Sequence, residues 1–137
     1  MKVRLSDVVG PVASQALNAI LGAQTNDLEA AASPNRIKLY EFVVEANKLY
    51  TASRIALLEE HEATLSDDSN EHVFKDDKAK EAFISAHTLL GEQTMDITSS
   101  ITIEDLSKIE GLALSTMHLD AIKWIITDLR ALYEESQ

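Results

Sequence analysis

The chain has 137 residues, 45% of them hydrophobic and 5% aromatic, with four glycines, two prolines and no cysteine. That length suits one domain with a real core, and an aliphatic interior suits helices better than a sandwich or barrel. A net charge of −11 disfavours direct nucleic-acid binding, which needs Lys and Arg against phosphates. The absence of cysteine excludes disulfides, thiolate metal sites and Cys nucleophiles.

Charge is unevenly spread. Residues 1–58 carry net +1, whereas residues 59–81 and 82–137 each carry −6. At the start, "MKVRL" alternates Met1, Val3 and Leu5 with Lys2 and Arg4, which predicts a short strand. Asp7, Ser14, Gln15 and Asn18 interrupt the apolar residues beyond it, and no apolar run approaches the ~20 residues of a membrane span. The expectation is a soluble, cytoplasmic protein. Ser6 is placed to cap a first helix, Pro11 suits a first helical turn, and Val9, Ala13, Leu17 and Ile20 form its apolar stripe as far as Gly22. "AQTNDLEAAASPN" then reads as a connector with room for one helical turn.

Ser33 and Pro34 open the longest element in the N-cap and first helical positions. Leu39, Val43, Ala46, Tyr50 and Leu57 lie on one stripe, flanked by Phe42, Leu49 and Ala56. A helix of about 28 residues would be ~42 Å long, more than a compact domain of this size needs. It reads either as one arm of a helical hairpin or as a surface for oligomerisation or a partner helix.

"LLEEHEATLSDDSNEH" (residues 57–72) is the densest stretch of ionisable groups. Glu59, Glu60, Glu62, Asp67, Asp68, Glu71, Asp76 and Asp77 form a candidate acidic face, with residues 65–75 as an exposed acidic loop. Glu59 and Glu62 make a Glu-x-x-Glu pair like that of the all-α nucleotide pyrophosphohydrolases that bind magnesium. The second half of such a site, Glu-x-x-Asp, is missing downstream, no Glu-x-x-His occurs, and no glycine completes a calcium loop. The stretch therefore reads as a solvated helix end and turn.

A second helix, starting near Asp76 or Asp77 and stopped by Gly91, would bury Ala79, Ala82, Phe83, Ala86, Leu89 and Leu90 against the long helix. Ile97, Ser99, Ile101 and Ile103 alternate with polar residues, so a strand at about 96–103 is expected to pair with residues 1–5. Thr102 and Asp105 resemble a capping box for a short helix ending near Gly111. Ser115 caps a final helix with the stripe His118, Ile122, Ile125, Leu129 and Leu132, leaving residues 134–137 as a frayed tail. The whole reads as a single mainly α domain over 1–137: a long-helix αα-hairpin, a terminal helix and a small ribbon.

Nothing in the motifs supports an enzyme. Ser99, Ser100, Ser107 and Ser115 lack a nucleophile-elbow context, and neither a phosphate loop nor a dinucleotide fingerprint is present. His118 reads as a core-edge histidine and His87 as exposed. No catalytic, metal or cofactor residue is assigned.

"MKVRL", the helix opening "NRIKLYEF", the acidic turn and "ITIEDLSKIEGLALSTMHLDAIKWIITDL" together resemble small accessory proteins of tailed bacteriophages. The layout covers most of the chain, its motifs are architectural, and it brings no catalytic residues. The resemblance implies a phage or prophage setting, hence the cytoplasm of a bacterial host. The leading expectation is a non-enzymatic accessory protein acting through helix-mediated contacts with itself, in assembly, or with a host factor. Its contact residues would be Tyr40, Tyr50, Arg54, Trp124 and Tyr133, the types that dominate interface energetics. The alternatives are an acidic DNA mimic, acting as an anti-defence inhibitor through the acidic face, and a disfavoured metal-dependent nucleotide hydrolase. No nucleic acid, membrane or small-molecule substrate is expected as a partner.

Overall fold

The computed structural model describes residues 1–22, 34–65, 71–109 and 111–135. The fold is mainly α, with one long helix and two small antiparallel ribbons. The expected connector at 23–33 and the Ser33 cap lie outside the described residues, as do Asp67, Asp68 and the last two positions of the expected tail.

β1 (Lys2–Arg4) leads directly into α1 (Leu5–Val9), which begins one residue before Ser6 and has no side-chain cap. Ser6 therefore does not cap it. α2 (Pro11–Gly22) places Pro11 in the first helical position, where its missing N–H is harmless, and buries Ala13, Ala16, Leu17 and Ile20. α3 (Pro34–Glu60) is the long helix, 27 residues. It returns through a ribbon of β2 (Thr64–Leu65) and β3 (His72–Val73) into α4 (Asp77–Glu92). The expected loop at 65–75 is thus corrected at its edges, where Thr64 pairs with Val73 and Leu65 with His72. Asp76 caps α4, its carboxylate accepting from Ala79 N at 2.8 Å.

Gly91 does not stop α4, which runs on to Glu92. A Cβ at Gly91 would lie 3.1 Å from Ser6 Cβ, so the bare glycine lets α1 lie close against α4.

The N-terminal strand pairs with β4 (Thr94–Asp96), so the expected partner at 96–103 is met only at its first residues, Asp96 and Ile97, and the ribbon lies mostly before it. Val3 faces Met95, and the ladder continues into Leu5 N to Gln93 O (2.7 Å) and Ile97 N to Met1 O (2.9 Å). The alternation after Asp96 still has a physical meaning: Ile97, Ser99 and Ile101 are all buried. Their backbone finds a different partner, the C-terminal turn, through Ile101 N to Ile125 O (2.9 Å) and Thr127 N to Ile101 O (3.0 Å). Arg130 seals the joint by donating to Trp124 O (3.0 Å) and to Ser99 O.

α5 (Ile103–Ser107) carries the expected capping box between Thr102 and Asp105, and Gly111 takes a left-handed φ of 77°. Ser115 caps α6 (Thr116–Ala121) reciprocally with His118. The final helix is not continuous. It breaks at Ile122, passes through a 3-10 turn at Thr127–Leu129 and resumes as α7 (Arg130–Glu135). Ile122, Trp124, Ile125 and Ile126 are all fully buried, and three adjacent side chains cannot share one face of a straight helix. The break lets all of them enter the core. Residues 134 and 135, expected to fray, belong to α7.

One apolar cluster joins residues from Val3 to Tyr133. It lies where α1, α2 and the C-terminal segments meet the first half of α3; beyond Ala46, Leu58 is the buried hydrophobic residue of α3. The outer half of the hairpin therefore projects from the core.

Candidate interaction surface

At 100° per residue, Leu39, Ala46, Tyr50 and Leu57 share the α3 face turned to the core. Ile37, Val44, Thr51 and Ile55 lie roughly opposite, with Tyr40 beside them. Ile37, Tyr40 and Ile55 are half or more exposed (51%, 58% and 50%). A helix apolar on two opposite faces is ordinarily buried on both. Here the outer face meets only the end of α2 among the described residues, where Asn18, Leu21 and Gly22 form one wall of an open groove of about 1010 Å³. Among the described residues, Lys48 is the one charged side chain lining it, and no carboxylate does.

The end of α2 that forms that wall is tied to α3 by Arg36. Nearly buried in the first turn of α3, it donates to Ile20 O (2.6 Å) and Leu21 O (3.3 Å) at the end of α2. A cation there also answers the negative end of the α2 dipole.

The five expected contact residues fall into three places. Tyr40 lines the groove. Tyr50 and Arg54 instead face α4: the Tyr50 hydroxyl lies 2.8 Å from His87 Nε2 and the rings meet edge to face at 5.6 Å. Phe83 stacks on His87 (5.5 Å), Phe74 on Phe83 (5.2 Å), and His61 stands edge-on to Phe83 (6.2 Å). These rings zip the projecting half of the hairpin, so the half-buried His87, expected to be exposed, is a packing residue.

Trp124 and Tyr133 are corrected from surface to core. Trp124 is fully buried, its Nε1 donating to Ala121 O (3.1 Å) and its ring 6.0 Å from Phe42. Tyr133 is 3% exposed; its hydroxyl donates to Asp7 Oδ2 (2.7 Å) and accepts from Arg4 N (3.1 Å). Large amphipathic rings satisfy a core as well as an interface, and their type alone does not distinguish the two.

Burial and the nearby Arg54 cation hold His87 below its ordinary pKa. Its folded value is below its unfolded one, so the associated stability is present above about pH 6.5 and is lost as pH falls through the folded pKa. The midpoint of thermal unfolding should drop more between pH 7.5 and 5 in the wild type than in His87→Asn. Equal slopes in paired circular-dichroism melts would show that His87 does not couple folding to protonation.

The acidic face divides as well. Glu59, Glu60, Glu71 and Asp77 are exposed around the hairpin tip, whereas Glu62, at a left-handed φ of 55°, pairs with Lys75 (3.7 Å) and Asp76 is the α4 cap. Among the described residues no group of three or more His, Asp or Glu is arranged to hold a metal ion, and no helix is long and apolar enough to cross a membrane. His118 is half-buried, accepting from Ser115 N at Nδ1 (3.2 Å), with Nε2 3.4 Å from Gln15 Oε1; it serves as a cap.

Compared with family models, curated proteins and solved structures, the chain shows no match to any of them.

The outer α3 face is the feature that the sequence reading missed. Its signal was present in the second set of apolar residues, Ile37, Val44 and Ile55, at helical spacing and out of phase with Leu39, Ala46 and Leu57.

Proposed function

We propose that this chain is a non-enzymatic, phage-type accessory protein that works by protein–protein contact, docking an apolar helix face into the groove between α3 and the end of α2. The observation that carries this reading is the second apolar face of α3, left half-exposed at Ile37, Tyr40 and Ile55 on an otherwise strongly acidic chain. Tyr40 is its anchor, a rigid ring beside Leu21 and Val44. The setting comes from the bacteriophage-like layout of the sequence, in the cytoplasm of a bacterial host. Neither a nucleic acid, a membrane nor a small molecule is the ligand.

A photo-activated benzophenone side chain at Tyr40 tests it, with the same group at the exposed Ser85 of α4 as control. Irradiation of cells producing the full chain should give a discrete protein adduct from position 40 and none from position 85. No adduct at 40, or the same adducts at both positions, overturns the reading.

A second reading draws on the exposed carboxylates Glu59, Glu60, Glu71 and Asp77 at the hairpin tip: an acidic inhibitor that fills a nucleic-acid channel of a host protein. Salt separates the two, since a phosphate mimic's affinity collapses as salt rises whereas an apolar contact holds.

A further inference from the structure

We propose, on the basis of that docking reading, that the occupant of the groove is the same groove of a second copy of this chain, with the two α3 helices antiparallel. The outer face carries a heptad seam: Ile37, Val44 and Thr51 recur every seven residues, with Tyr40 and Asn47 at the intervening positions. The three residues at the seven-residue positions are all β-branched and so hold few rotamers to lose on contact.

Size and charge fix the direction. An antiparallel pair with its two-fold axis beside Ala46 sets Ile37 of one copy against Ile55 of the other, and the large Tyr40 against the small Thr51 and Ala52. It also brings Glu45 next to Lys48 across the axis. A parallel pair would instead stack Glu41, Glu45 and Lys48 each on its own copy.

The acidic tips give the same answer. Residues 59–81 carry −6 in each chain. Antiparallel helices crossing near residue 46 send residue 60 of the two copies about 42 Å apart at 1.5 Å per residue, several Debye lengths at physiological salt. Parallel helices would put the tips side by side. The carboxylate-free groove, in the near-neutral first 58 residues, is where two acidic copies can meet without repulsion.

Sedimentation velocity on the full chain, up to about 100 µM protein and at about 0.15 M and 1 M salt, should give twice the 15.1 kDa mass at both salts. Ile37→Glu/Ile55→Glu should sediment as a monomer with the circular dichroism of the wild type, since both side chains are half-exposed. The lack of native cysteine allows a register test. Ile37→Cys mixed with Ile55→Cys should cross-link on oxidation, whereas Ile37→Cys alone should not, its two thiols being about 27 Å apart.

A dimer that survives the double charge variant overturns the proposal, as does self-linking of Ile37→Cys. A monomeric wild type overturns it too. The Tyr40 photo-adduct then separates the cases: with a foreign adduct the docking reading stands and only the second copy falls, and with none both fall.

Discussion

Trp124→Ala lowers the free energy of unfolding by about 3–5 kcal/mol, the usual cost of emptying a large buried aromatic site. Trp124 is fully buried between Ile122 and Ile125, tilts against Phe42 at 6.0 Å, and spends its one polar atom on Ala121 O. It also stands at the break between α6 and α7, where its own carbonyl accepts from Arg130 Nε. Collapse of the cavity would drag that joint, and with it the Ser99 contact, so the site is poorly placed to relax. For a domain with about 5–15 kcal/mol in total, the loss is a large fraction, a fall of roughly 10–20 °C in the melting midpoint. Trp124→Phe, which keeps most of the volume, should cost clearly less. Thermal and urea denaturation check both, and a loss below about 1 kcal/mol for the alanine variant would refute the core assignment.

Arg36→Met is the second large effect, a loss of about 2–3 kcal/mol. Methionine fills much of the arginine's volume but carries neither charge nor donor. What it cannot do is donate to Ile20 O and Leu21 O, which Arg36 serves at 2.6 and 3.3 Å. Losing those two bonds leaves the carbonyls at the end of α2 short of a donor. Arg36→Lys should recover part of it, since a single ammonium reaches one carbonyl well but not both. Urea unfolding is the measurement; wild-type stability in the methionine variant would show that the α2 terminus is satisfied without this side chain.

Local chemistry was the legible part of the sequence. Pro11 and Pro34 opened helices because ring and missing donor fit only the first turn, and Asp76, Thr102 and Ser115 capped because a short acceptor before an apolar run has one good use. The core stripe of Leu39, Ala46 and Tyr50 was equally plain. What failed was the choice among partners that lie far apart in sequence. Ile97, Ser99 and Ile101 announced a buried extended face, but alternation cannot say whether residue 3 or residue 125 supplies the hydrogen bonds. The helical period of 115–133 hid a break because Ile122 and Ile125 fit the stripe and Ile126 lies beside it, while Trp124, equally buried, does not. At the candidate surface, residue type pointed to four rings and Arg54, and only Tyr40 reached the groove; Tyr50, Trp124 and Tyr133 were claimed by internal partners.

The pairing of β1 has a consequence for the order of events in synthesis. Met1 to Leu5 bond to Gln93 through Ile97, and Arg4 and Asp7 meet Tyr133, 129 and 126 positions further on. At roughly 5–20 residues per second, a ribosome makes the first strand about 5–20 s before its partner strand exists. The hairpin of α3 and α4, by contrast, is local and can close as soon as it is made. Nascent chains should therefore carry a formed hairpin and an unfinished base, with Val3 lacking its strand partner until Met95 is made and Arg4 and Asp7 lacking Tyr133 until the last helix follows.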